Sequence, residues 1–113
     1  TRSFCYVSDM VAGLLALMAA DFDGMEPVNL GNPQELTVNE LLAHVLKLTG
    51  TRAPVVNRPL PIDDPRRRRP DIGRAAALLG WSPRTPLAEG LAATCAWFAE
   101  ELDERRPAAK AAE

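Results

Sequence analysis

Residues 63–91, "DDPRRRRPDIGRAAALLGWSPRTPLAEGL", decide how this chain is read. Four consecutive arginines, Arg66 to Arg69, stand between Asp63-Asp64-Pro65 and Pro70-Asp71. The two prolines stiffen the ends of the run. Asp71 is placed to cap a short helix over "IGRAAALLG", which Gly80 closes, and Trp81 is expected to pack back on it. Thr85-Pro86 then reads as a cap followed by proline in the first helical position. The helix it starts carries Leu87, Leu91, Thr94 or Cys95, Phe98 and Leu102 on one face. Two helices therefore follow a rigid, cationic loop.

Working outward, the preceding segment "APVVNRPL" (53–60) reads as extended, and its prolines push it to a sheet edge. Before it, Thr37-x-x-Glu40 is a capping box, with Leu36 and Leu41 as a hydrophobic staple. That helix carries Leu41, Leu42, Val45, Leu46 and Leu48 and should stop at Gly50. "PVNLGN" (27–32) reads as a buried strand entering a tight turn. Residues 4–7, "FCYV", read as a short strand. A helix with Met10, Val11, Leu14, Leu15 and Met18 on one stripe follows, with Ser8 as its cap, Asp9 favouring its positive end and Asp23-Gly24 as its break. The order strand–helix–strand–helix–strand–helix–helix implies the α/β class, with about four helices and three short strands. So few strands cannot make a self-sufficient sheet, and several helices have largely apolar faces. Both features lead to the expectation that the piece packs against something outside it.

The 113 residues suggest one domain or part of one. A net charge of −2 argues against a broad nucleic-acid face, and the flanking acids with no interleaved aromatics argue against it again. No apolar run approaches the roughly 20 residues of a membrane span. The opening "TRSFCYV" has neither a basic n-region nor a long apolar h-region, so these residues are not expected to be a signal peptide. It starts at Thr1 without an initiator Met, so the expectation is a piece of a longer protein. Cys5 and Cys95 are expected to be reduced and buried.

The chemistry-bearing residues are few. No G-x-G-x-x-G and no Walker loop occurs, and "NLGNP" has a single glycine. His44, the one histidine, has no ligand-type partner at metal spacing and reads as a helix-surface residue. Ser8 and Thr37 read as caps, not nucleophiles. Asp63 and Asp64 could form a carboxylate pair for acid–base work, but read first as a screen for the arginines and the start of a turn. Arginine presents a planar fork that matches phosphate or carboxylate. From residue types alone, the run remains either an anion clamp or a solvated loop. Arg2, just ahead of a strand, raises the same question.

The stretches "TRSFCYVSDMVAGLLALM", "PVNLGNPQELTVNELL" and "DDPRRRRPDIGRAAALLGWSPRTPLAEGLAATCAWF", in this order and spacing, resemble the carboxy-terminal part of the UDP-glucuronate decarboxylase (UDP-xylose synthase) family. That family lies within the extended short-chain dehydrogenase/reductases, the NAD-dependent epimerases and dehydratases. The resemblance covers residues 1–105 and implies a substrate-binding lobe there, with 106–113 as a flexible tail and the Rossmann core absent. It implies an enzyme that oxidises C4 of UDP-glucuronate, loses CO2 and returns the hydride to give UDP-xylose. NAD would be bound by the missing amino-terminal domain. No catalytic, cofactor-binding or metal residue is expected here: Tyr6 has Met10, not lysine, four residues on. Arg2 and Arg68 match arginines at the nucleotide-sugar, and Asn32 lies by the expected uridine pocket. Arg66 and Arg67 match variable positions. The resemblance further implies a cytoplasmic homodimer that binds neither nucleic acid nor membrane. An epimerase or 4,6-dehydratase lobe, or a non-enzymatic binding module, stays open as an alternative.

Overall fold

The computed structural model describes residues 1–21, 24 and 26–110, with side chains as far as Asp103. Strand β1 (Arg2–Ser3) leads into helix α1 (Val7–Ala19); β2 (Glu35–Leu36) leads into α2 (Val38–Thr49); α3 (Gly73–Leu79) and α4 (Leu87–Lys110) follow. The two strands pair antiparallel, Arg2 opposite Leu36 and Ser3 opposite Glu35. Four helices were expected and are present. Among the described residues the strands are two, not three, and they lie elsewhere: residues 4–7, 27–32 and 53–60 form none. Strands of two residues carry too little alternation to be seen in sequence.

Helix α2 forms as its sequence requires. The Glu40 N–H donates to Thr37 Oγ1 at 3.1 Å, and the Thr37 N–H donates to Glu40 Oε2 at 2.7 Å. Its end is set by Gly50 at φ 64°, in the left-handed region where a side chain is disfavoured. Gly80 closes α3 in the same way at φ 58°. Ahead of α3, Asp71 Oδ1 accepts the Gly73 N–H at 2.9 Å, one residue earlier than a formal cap, which is Ile72.

Helix α1 departs from expectation. It is capped by Tyr6 with no side-chain bond, so Ser8 lies inside the helix and is exposed. It ends at Ala19, and Asp23, its expected breaker, lies outside the described residues. Its buried side is Asp9 and Gly13, four residues apart on one face. A Cβ on Gly13 would stand 2.9 Å from the Trp81 ring, so glycine is what lets the indole in. Trp81 thus packs on α1, not simply on the helix before it. Its Nε1–H donates to the Asp9 carbonyl at 2.9 Å. The Asp9 carboxylate accepts the Arg84 and Thr85 N–H groups at 3.1 and 2.8 Å. One buried acid in α1 therefore fixes the approach to α4, which starts at Leu87, just after Pro86.

The core is thin. Ala75 and Trp81 are its buried hydrophobic residues, whereas Val7, Leu14, Leu15 and Met18 on α1 and Trp97, Phe98 and Leu102 on α4 are exposed. The radius of gyration is 18.3 Å, against about 13 Å for a compact domain of this length. Cys5 and Cys95 are free and half-buried rather than buried. Burial, followed by the charge of Asp9, pushes the Cys5 thiol up. Helix α4 is continuous to Lys110, beyond the expected start of a tail at 106; residues 111–113 lie outside the described residues.

Candidate anion site

Three segments meet at β1. On one side lies β2, and on the other runs the arginine loop. The Thr1 amino group donates to the Arg66 carbonyl at 2.6 Å, and the Arg68 N–H donates back to the Thr1 carbonyl at 3.3 Å. This is the hydrogen-bond pattern of a parallel bridge. Ser3 Oγ adds a bond to the Arg68 carbonyl at 2.8 Å. The run of arginines is therefore held along a strand edge rather than left as a free loop. The turn before β2 closes the junction: a Cβ on Gly31 would lie 2.8 Å from Pro70 Cγ. Glycine there brings Asn32 and Pro33 against the end of the run.

The arginines divide by partner. Arg2 donates through Nη2 to Asp64 Oδ2 at 2.5 Å and through Nη1 to the Thr1 carbonyl at 2.8 Å. Asp64 itself ends a turn, its N–H donating to the Pro61 carbonyl at 3.2 Å. Arg67 grips Glu35 with both edges of its fork, Nη2 to Oε1 at 3.0 Å and Nε to Oε2 at 3.3 Å. Thr1 Oγ1 donates to the same carboxylate at 2.5 Å. The Arg67 and Thr1 hydrogen bonds hold the Glu35 carboxyl down at about 2, and the charges of Arg67 and Arg69 act in the same direction. Arg74 pairs with Glu26. Arg68 and Arg69 have no carboxylate partner among the described residues.

Two open concavities flank the run. One, about 470 Å³, is lined by Ser3, Arg67, Arg68, Arg69 and Pro70. The other, about 380 Å³, is lined by Pro33, Arg69, Pro70, Asp71, Ile72 and Gly73. Arg68 thus lies on a concavity. Arg2 is a neighbour through the shared Thr1 carbonyl but does not line either space, because Asp64 holds its guanidinium. Asn32 stands next to Pro33, with Oδ1 accepting the Gln34 N–H at 2.9 Å. Arg67, at a position the resemblance gives as variable, is largely exposed yet paired with Glu35, and Asp64 screens Arg2, not the run. Glu35 was not legible as a site residue. Its partner lies 32 positions away, and no local signal marks it. His44 is exposed on α2, and no group of metal-type ligands occurs among the described residues.

No protein-family model matches the chain. Among curated proteins it is 47% identical to UDP-glucuronic acid decarboxylase 1 of Danio rerio over 105 residues, 93% of this chain and 25% of that one. It is 50% identical to UDP-glucuronic acid decarboxylase 6 of Arabidopsis thaliana over 91 residues, 80% of this chain and 26% of that one. The chain is homologous to the carboxy-terminal part of the UDP-glucuronic acid decarboxylases. It spans about a quarter of the length of these relatives. Solved structures agree. MoeE5 in complex with UDP-glucuronic acid and NAD superposes with a TM-score of 0.83 at 32% identity, over 88% of this chain and 33% of that one. UDP-glucose 4-epimerase of Thermotoga maritima with UDP-glucose does so with a TM-score of 0.81 at 33% identity, over 89% and 32%. The fold is that of a carboxy-terminal lobe of Rossmann-type sugar-nucleotide enzymes. No helix among the described residues is long and apolar enough to cross a membrane.

Proposed function

We propose that this chain is the nucleotide-sugar-binding lobe of an enzyme that converts UDP-glucuronate to UDP-xylose and CO2. The observation that carries the reading is the convergence of Ser3, Pro33 and residues 67–71 on two adjoining concavities that share Arg69 and Pro70, in a chain whose relatives are UDP-glucuronic acid decarboxylases. A UDP-sugar acid brings a diphosphate and a carboxylate. Guanidinium forks match both, and fixing them orients the sugar for chemistry done elsewhere. Arg68 grips the diphosphate. Arg2 lines neither concavity and would add a second contact only by leaving its pair with Asp64, and Asn32 offers its side-chain NH2 at the uridine end.

NAD is the cofactor this reading implies, held by the portion of the relatives that this chain does not match. The residues present do not fit it: the one glycine turn near the arginines is filled by Pro70, leaving no room for a phosphate against Gly31. The work of this lobe is to bind, orient and enclose. The apolar faces of α1 and α4 would be covered by the rest of the enzyme, which would be a cytoplasmic homodimer binding neither nucleic acid nor membrane. Residues 1–105 would act as the lobe.

The test is CO2 release and UDP-xylose formation by the full-length protein. Arg68→Ala should lower kcat/KM for UDP-glucuronate at least about tenfold, the loss of a charge-assisted hydrogen bond, while Arg66→Ala leaves it nearly unchanged. Equal, small effects of the two would reject the clamp. Turnover of UDP-glucose in place of UDP-glucuronate would favour the epimerase reading instead.

A further inference from the structure

The run of four arginines is not one cationic patch, because its members have different obligations. Arg67 is held by a carboxylate through two hydrogen bonds. Arg66 contributes its carbonyl to the bridge with Thr1, and its side chain lines neither concavity. Arg68 and Arg69 remain without a carboxylate partner among the described residues. Arg69 alone of the four lines both concavities. A guanidinium not held in a direct ion pair, between two open spaces, can reach a ligand that lies across them. A paired one must first break its ion pair.

We propose that Arg69 is a second ligand-contacting residue of this site. It closes on the same dianionic group as Arg68, while Glu35 withdraws Arg67 from that role. The proposal rests on the reading of the site as a nucleoside-diphosphate sugar site and adds a residue to it. Backbone geometry supports the division. Pro70 follows Arg69 directly and restricts it to extended conformations. The Arg68 amide and carbonyl are fixed by Thr1 and Ser3. The two guanidinium groups therefore leave a backbone that is already ordered, which lowers the cost of gripping an anion. Asp71 lines the second concavity with its Oδ1 already engaged by the Gly73 N–H. Its other oxygen is available to hydroxyl donors of a ligand anchored at Arg69.

The experiment is calorimetric titration of the full-length protein and its Arg66→Ala, Arg67→Ala, Arg68→Ala and Arg69→Ala variants with UDP, with uridine as the phosphate-free probe. The expected result is a loss of about tenfold or more in UDP affinity for Arg68→Ala and Arg69→Ala, with uridine binding unchanged, and less than about twofold for Arg66→Ala and Arg67→Ala. A loss for Arg68→Ala with none for Arg69→Ala overturns this inference and leaves the site reading standing. No loss for either overturns both. If Arg69→Ala fails to fold, Arg69→Lys decides: it keeps the charge and removes the fork. A several-fold loss of UDP affinity at an unchanged melting temperature supports the proposal, and unchanged affinity overturns it.

Discussion

The Asp9 anchor and the arginine junction use the same type of bond for opposite ends. At the anchor, a buried carboxylate takes two backbone N–H groups of residues 84 and 85, and the adjoining carbonyl takes the Trp81 indole. These bonds run between the chain's own groups, although a concavity of about 240 Å³ lined by Asp9, Trp81 and Arg84 lies beside them. At the junction, β1, β2 and the arginine loop are tied by comparable bonds, yet among the described residues Arg68 and Arg69 have no carboxylate partner and stand beside open space. A network that closes on itself makes structure. One that leaves charge over is equipped to bind.

The comparison can be broken most severely at the anchor. Asp9→Ala strands two backbone donors and should destabilise the protein by about 2 kcal/mol or more, read as a lower midpoint in urea unfolding. UDP affinity at temperatures where the variant remains folded should not change. A coupled loss of affinity would mean the two regions are not separate. Gly13→Ala should cost about 1–3 kcal/mol, because its Cβ must displace the Trp81 ring.

Next in size is the capping box. Thr37→Ala should cost about 1 kcal/mol, visible in the same unfolding curves, with Thr37→Ser close to wild type. Acid sharpens the contrast with a smaller effect. Glu35 has its folded pKa lowered from 4.5 to about 2. The stability it contributes is therefore fully present above pH 4.5 and disappears as pH falls through about 2. Asp9 is also lowered, chiefly by the Thr85 N–H, and acts in the same direction. Glu35→Gln should flatten the acid limb of a stability–pH curve, and an unchanged limb would show that the Arg67 pair is not held in solution.

What could be read from sequence was local. The Thr37–Glu40 box and the glycine stops at 50 and 80 are complete within a few residues, so the helices they bound were legible. The start of α1 was not: Tyr6 caps it without a side-chain bond, and Ser8, the better capping residue, lies one position inside the helix. The strands were displaced because a two-residue pair has no period to read. Asp9 looked like a dipole residue, and its true partners are 75 and 76 positions away. The arginine run was visible at once, but its division was not. Which arginine is neutralised depends on Glu35 and Asp64, which reach the run and β1 only after the chain has folded.

The most direct test of the account is hydrogen exchange on the full-length protein with and without UDP. Three segments far apart in sequence are held to form one anion site. Saturating UDP should slow exchange together at residues 31–36, at 66–69 and at Ser3, and leave α2 as it was. Protection confined to one of these segments, or found only outside them, would contradict the account.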